Sequence, residues 1–489
     1  MAVLLHHVAT PASARRSRER GVKPCALSSG QAPGGCPLRV PRHVKRGWRR
    51  ELDFGVDPGI VQDELFSGSD VKLASGNWMT MKALFVGDSA LARDVLATQA
   101  DAFDVSTPPH FVHLLGRDNI GLLDEPAHGQ VRGLMAPAFA PARVASHAPR
   151  VASLCQRYVR RWAAAGGVRR WNEDIKLLTF EVICSIVGGF DWSEPELREY
   201  SEAFAAIVRG MAFPIPLKLF GLTPFGKGVR ARKKMEALLR GQFAKYRAID
   251  SGGASSSPAA PPSLLQVMLS ARDADGQPLS EAALLDNFIG LLIAGHDTTA
   301  SSLACALFHL AQSPDAMAGL REEQDAIMRR HGNELTPAAL ADMPFAEAVL
   351  REAWRLHPVV PVVGRAAARD VDLGGFAISK GTRTFVALNT VTRGTAWDSL
   401  PETSPMHISV FDPRRWLTQE GAQAAAAQLP FGAGPRMCLG AALAMTEAKS
   451  LLAVVARELD FSVDAAAAVW TAFPFLSVAM DAQCAQLRR

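Results

Sequence analysis

Residues 431–440 read FGAGPRMCLG, Phe431 to Gly440, and lead straight into a helical pattern from Ala441 to Leu459. Gly432 and Gly434 allow positive φ values or tight turns, so several backbone N–H groups can converge on one side chain. Arg436 places a cation two residues before Cys438. Cys438 then stands at a helix N-terminus, where unpaired N–H groups and the positive end of the macrodipole favour thiolate over thiol. The expectation is a sulfur with a lowered pKa that serves as a soft, anionic metal ligand.

Working outward, the longest predicted helix starts after Pro278, with Ser280 as N-cap and Glu281 in the first turn, and meets no proline until Pro314. At 1.5 Å per residue it would reach about 50 Å. It is apolar nearly all round from Leu284 to Ala294, as befits a helix crossing a core. Asp286, Asn287, His296 and Asp297 interrupt it too often for a bilayer span. On it lies AGHDTT, Ala294 to Thr299. Gly295 removes bulk, and Thr298 and Thr299 can bond back to preceding carbonyls, so the helix is expected to open locally there. Asp297 beside Thr298 sets an acid next to an alcohol, the pair that proton delivery through a positioned water requires. His296 reads as structural.

Three further segments carry charge at informative spacings. EAWRLHP puts Glu352 and Arg355 on one helix face, FDPRRW (Phe411 to Trp416) contributes Arg415, and DEPAHGQVRGLM sets His128 and Arg132 four apart. These stretches together resemble the cytochrome P450 family. F-x-x-G-x-R-x-C-x-G is matched by Phe431, Gly434, Arg436, Cys438 and Gly440; (A/G)-G-x-(D/E)-T-(T/S) by Ala294 to Thr299; E-x-x-R, F-x-P-x-R-W and H-x-x-x-R by the other three. The likeness runs from about Trp48 to the C-terminus. It departs after Arg393, where Gly394-Thr395 replaces a frequent Asp-Pro and the run Trp397 to Phe411 is longer than usual.

The resemblance implies a mainly α fold with a small β-sheet region (α+β), its haem b held between the long central helix and the helix after the cysteine loop. It implies Cys438 as axial ligand to the haem iron, a thiolate whose electron density favours O–O cleavage. Asp297 and Thr298 become the catalytic pair. His128, Arg132, Arg365 and Arg436 become the cations for two haem propionates, with Ala294, Phe431 and Gly440 beside the ring. Glu352, Arg355 and Arg415 become a buried triad that locks the loop before the cysteine, where loss of any member would be expensive.

Bulk properties agree with a large globular chain: 489 residues, 48% hydrophobic, 21% charged. The net charge of +5 is local, because residues 1–50 hold nine Arg and two Lys against Glu19 alone and the remainder is acidic. Such a body offers no phosphate-tracking surface, so no nucleic-acid partner is expected. Seven cysteines, odd in number and without a C-x-x-C pair, fit free thiols in a reducing compartment. The only apolar run at the head, Ala2 to Leu5, is too short to span a bilayer. A soluble, cytoplasmic monomer without a transmembrane helix is expected. Residues 1–45 read as a disordered basic arm ahead of a haem domain over 46–489; an organellar presequence has the same Arg-rich, acid-poor composition, and a misassigned start codon also accounts for it.

Helical spacing recurs at Ala148 to Trp162, Asp174 to Val187, Leu197 to Val208 and Gly228 to Ile249, while Ser251 to Pro262 reads as a loop. Strand-like runs are few: Val371 to Ile378, then Thr382 to Leu388 after a turn at Gly381. By the topology of the resemblance, Phe111 to Leu115, Met211 to Leu219, Leu291, Ala294, Val362, Val363 and Phe473 to Leu476 line an apolar pocket. Such a pocket suits a hydrophobic small molecule such as a terpenoid, steroid or fatty acid. No G-x-G-x-x-G follows a strand, so electrons for O2 activation must come from a separate ferredoxin or flavodoxin with an NAD(P)H-dependent reductase. Two alternatives to a monooxygenase stay open at this point: a haem-thiolate peroxygenase or isomerase, which would not need Asp297 and Thr298, and a non-enzymatic haem sensor.

Overall fold

Ser280 caps the central helix as its side chain predicts: Oγ accepts the Ala283 N–H at 3.0 Å, and the helix runs Glu281–Gln312 until Pro314 opens the next one. The computed structural model describes residues 66, 72–78, 81–213, 216–251, 261–393, 409–471 and 477–486. Among these, the principal helices are α1 (Ala127–Met135), α2 (Ala148–Ala165), α3 (Trp171–Ile183), α4 (Glu194–Ala212), α5 (Pro224–Ser251), α6 (Glu281–Gln312), α7 (Pro314–His331), α8 (Pro344–Leu356) and α9 (Ala441–Glu458). The basic arm, the chain near Trp48, the Gly394-Thr395 stretch and most of the loop after Ser251 lie outside the described residues.

At about 48 Å, α6 is long and apolar enough to cross a membrane, yet 72% of its most apolar window is buried inside the protein. It is a core pillar, packed by α3, α5, α8 and α9. Gly295 does not open a notch in it. A Cβ there would fall 2.1 Å from Ile183 Cδ1, so the missing side chain is taken up by the close approach of α3, and α6 stays helical throughout. The expected local opening is therefore corrected to a packing contact.

The strands are β1 (Leu73–Trp78), β2 (Met81–Val86), β3 (Phe103–Val105), β4 (Val168–Arg170), β5 (Val362–Ala367), β6 (Val371–Leu373), β7 (Phe376–Ile378), β8 (Arg383–Ala387), β9 (Leu459–Val463), β10 (Val469–Thr471), β11 (Ser477–Ala479) and β12 (Asp481–Gln486). The largest sheet has the order β1-β2-β8-β5-β3, and β4-β12-β9 form a second. The run Val371 to Ile378, expected as one strand, is a hairpin: Gly374 (φ 62°) and Gly375 (φ 88°) both take the left-handed backbone that a tight primed turn demands. β1 and β2 were not distinguished by sequence, because Gly76 and Asn77 weaken the strand signal where the pairing Leu73↔Val86 to Trp78↔Met81 runs. In this sheet Val105 pairs with Arg365 and Arg365 with Thr384, which fixes Arg365 beside β3.

An aromatic ladder joins the helical layer to the second sheet. Trp162 and Trp171, both fully buried, meet edge to face at 5.8 Å, and Trp171 meets Phe461 of β9 at 4.5 Å. Replacing Trp162 by Ala is expected to cost about 3–5 kcal/mol of stability, read as a lowered urea midpoint. A loss below about 1 kcal/mol would contradict this packing.

Candidate active site

The cysteine loop is closed by its own backbone: Cys438 N–H donates to Phe431 O (2.8 Å) and Met437 N–H to Gly434 O (3.1 Å). Gly434 has φ 69°, and a Cβ on it would lie 2.1 Å from Leu96 O, so both conformation and space exclude other residues. Three helices brace the loop. Arg132 Nη2 of α1 donates to Met437 O (2.8 Å); Trp354 of α8 meets the Phe431 ring edge to face at 5.2 Å; and Trp354 Nε1 donates to Ser302 Oγ of α6 (3.0 Å). Gly440 is the N-cap of α9.

Cys438 is reachable by solvent, yet protein surrounds it on its other sides and this burial pushes its thiol up from the usual value. The Gly440 N–H and the charge of Arg132 pull the other way without overcoming it. The expected lowering of the sulfur pKa is thus corrected: one helix terminus and one nearby cation do not offset desolvation.

Within its buried middle, residues 283–307, α6 keeps accessible surface at Leu291, Ala294, Thr298 and Ser302, with Gly290 and Gly295 beside them. Their spacing of three and four places them on one face, which runs toward the Trp354–Phe431 contact. Thr298 Oγ1 bonds back to Ala294 O, as expected. Asp297 is buried and pairs with Lys176 Nζ of α3 at 3.1 Å, while the Lys176 side chain remains 36% exposed. Sequence gave no sign of Lys176. His296 is buried against Phe180 at 5.3 Å with neither ring nitrogen well hydrogen-bonded, and burial lowers its pKa.

The four candidate propionate cations gather beside β3 and β5. Arg365 is buried; its Nη1 donates to Gly364 O (2.9 Å), and among the described residues it has no ion pair with a carboxylate. Burial, then the like charge of Arg436, lowers its pKa to about 10. Among the described residues Arg436 has only a loose acidic partner, Asp124 Oδ1 at 3.9 Å, which already accepts the Val105 N–H. His128 Nδ1 is 2.7 Å from Glu125 Oε1. A space lined by guanidiniums that lack matching carboxylates calls for an anion of about two charges, which the propionates of a haem would supply. The donor set fits that cofactor: one sulfur on a braced loop and a surplus of cations to one side.

Glu352, Arg355 and Arg415 come together with no solvent exposure. Glu352 accepts from Arg355 Nε and Nη2 and from Arg415 Nε, each at 2.8 Å. Trp416 Nε1 (2.9 Å) and the Asp412 N–H (3.0 Å) complete its shell, and both arginines also hold Val410 O. Next to this cluster His309 of α6 stacks on Phe411 (4.7 Å, 9°) and on His357 (5.0 Å, 20°), which stacks in turn on Trp470 (4.2 Å).

Not every pocket residue lies where expected. Phe111, Leu115, Leu291, Val362 and Val363 are partly accessible. Leu114 is fully buried, and Leu217 and Leu219 stand 56% and 57% exposed on the surface, so these three line no enclosed cavity. Phe473 to Leu476 lies outside the described residues.

A helical fold with a cysteine loop braced against a central helix defines a haem-thiolate protein. The sequence matches the cytochrome P450 family over residues 73–488, and the chain belongs to that family of haem monooxygenases. It is 29% identical over 382 residues to cytochrome P450 90A3 of Oryza sativa, covering 74% of this chain and 72% of that one. Among solved structures it is similar to retinoic acid bound cyanobacterial CYP120A1, with TM-score 0.78, 24% identity and coverage of 93% of this chain and 100% of that one. It is also similar to the cytochrome P450DA heme domain, with TM-score 0.76, 21% identity and coverage of 92% and 98%.

The stacked histidine carries a pH prediction. Burial is the main cause that lowers His309 from 6.5 to about 4; Glu352 opposes the shift and Arg355 adds to it. The unfolded chain therefore binds more protons between these values, and stability falls as pH drops from about 6.5 toward about 4. His309→Phe keeps a ring in the stack and should flatten that acid-side slope, measured by urea unfolding across the window. Equal slopes in the two proteins would contradict the assignment.

Proposed function

We propose that the protein inserts one oxygen atom of O2 into a hydrophobic small molecule of terpenoid, steroid or fatty-acid type, using electrons from a separate ferredoxin or flavodoxin served by an NAD(P)H-dependent reductase. The observation that carries this reading is the accessible stripe on α6, Leu291, Ala294 and Thr298, which runs toward the braced Cys438 loop. Bound haem b would supply iron chemistry tuned by an axial thiolate. Cys438 Sγ would hold the iron, His128, Arg132, Arg365 and Arg436 would take the propionates, and Ala294, Phe431 and Gly440 would pack against the ring.

The chain's own residues then divide the work. Asp297 Oδ1 collects protons from solvent by way of Lys176, whose side chain spans from the buried carboxylate to the surface. Thr298 Oγ1, anchored on Ala294 O, positions the water that passes them on. Phe111, Leu115, Leu291, Val362 and Val363 exclude bulk water and favour an apolar ligand. CYP120A1, which shares the fold, holds retinoic acid, and this supports an apolar substrate for the present chain. Met437, 46% exposed above Arg132, marks a cationic face for an acidic electron carrier, with salt-sensitive docking. Buried free thiols at Cys155, Cys184, Cys305 and Cys484 fit the cytoplasm.

A peroxide-driven peroxygenase or isomerase has no use for the Asp297–Lys176 pair beside Thr298, which favours the oxygen-dependent reading. With NAD(P)H, ferredoxin reductase and ferredoxin, Thr298→Ala should divert electrons to hydrogen peroxide and lower product per NAD(P)H by roughly tenfold or more. Unchanged coupling in the variant would refute the proton-relay roles.

A further inference from the structure

The segment from His110 to Gly121 crosses the front of α6 without joining any sheet, and side chains rather than strands satisfy its backbone. Its short helix Val112–Leu115 ends at Gly116, where φ is 96° and a Cβ would lie 1.9 Å from Asp286 Cγ. Asp286 Oδ2 accepts the Asp118 N–H (3.0 Å), and Asp286 O accepts from Asn119 Nδ2 (2.9 Å). Asn287 Oδ1 accepts the Ile120 N–H (2.7 Å), and its Nδ2 donates to Asp118 O (2.8 Å). From the opposite side Arg232 of α5 pairs through Nη2 with Asp286 Oδ1, donates through Nη1 to Leu114 O (3.0 Å) and through Nε meets Glu236 Oε1 (2.8 Å). Arg232, Asp286, Asn119 and Asn287 are all buried.

Packing adds to this clamp. Leu114 seats against Gly210 of α4 and Gly228 of α5, with 3.3 and 3.1 Å left for a Cβ at those glycines, so the helix pair and the segment interlock. Val112 and Arg117 of the segment, with Leu122 just beyond it, line an open surface cavity of ≈ 420 Å³. On the same stretch Phe111 and Leu115 belong to the apolar lining described above. The segment therefore stands between solvent and the site, held by four hydrogen bonds to side chains of α5 and α6 and one to the Asp286 carbonyl, while the buried Arg232–Asp286 pair ties α5 to α6 behind it. Such a pair resists separation, because parting the two groups leaves each charge short of partners in a poorly solvated place.

We propose that Arg232 and Asp286 are positioning residues for substrate entry: their ion pair holds the 110–121 segment and α5 on α6, and an apolar ligand enters or leaves only when this pair parts. The proposal rests on the reading of the apolar lining at Phe111, Leu115 and Leu291 as the substrate site, and its test has one arm that does not.

In the haem-loaded enzyme, Arg232→Met with Asp286→Asn leaves no buried charge unpaired on that pair and keeps an acceptor for the Asp118 N–H. Hydrogen exchange at the Asp118 and Ile120 amides should speed by about tenfold or more, with α9 amides unchanged. Binding and release of 1-dodecylimidazole, followed by haem absorption, should both accelerate about tenfold with Kd nearly constant, while imidazole alone keeps its rates. Arg232→Lys, which retains the charge, should stay close to wild type. Unchanged amide exchange overturns the proposal, as does equal acceleration of imidazole and its dodecyl derivative. If wild-type enzyme gives no absorption change with either imidazole, the functional reading fails, and amide exchange still decides whether the pair holds the segment.

Discussion

One carboxylate carries more of this structure than any other group. Glu352 collects five donors, two from Arg355 and one each from Arg415, Trp416 and the backbone of Asp412. Fully buried, it would be intolerable alone, and two guanidiniums without it would be equally so; removing one member of such a cluster typically costs about 3–5 kcal/mol. The cluster fixes residues 410–416 on the end of α8. The same helix carries Trp354, whose ring meets Phe431 and whose indole N–H reaches Ser302 on α6. The position of the cysteine loop relative to the central helix is thus set by a short chain of contacts that starts at Glu352.

The electrostatics on the two sides of the loop differ in kind. Around Glu352 the charges are paired, both guanidiniums on the one carboxylate, and solvent is excluded. Beside β3 and β5 they do not match: Arg365 and Arg436 repel each other, and burial lowers both. An excess of buried positive charge is costly unless an anionic ligand belongs there. Stability and ligand binding are therefore separated in space, one cluster holding the frame and the other left incomplete by the protein.

Much of the site was legible in sequence because its parts are short and local. The glycines around Cys438 and the three-residue step from Glu352 to Arg355 encode their own geometry, and Ser280 with Pro314 bounds α6 to within two residues. Relationships between distant segments were not legible. Nothing at Lys176 points to Asp297, since the contact depends on how closely α3 approaches α6 at Gly295. The raised thiol pKa of Cys438 was not legible either, because helix-terminal donors can be read from sequence and desolvation cannot. The Gly374-Gly375 turn was visible in principle, and the alternating apolar residues on either side of it hid it.

The central claim is that Cys438 gives its sulfur to the iron of a haem held on this loop. The most direct measurement is the absorption of purified, haem-loaded protein after reduction under carbon monoxide. The account predicts the red-shifted band of a thiolate-ligated haem, lost in Cys438→Ala. A fully loaded, folded wild-type protein that lacks the band would contradict it.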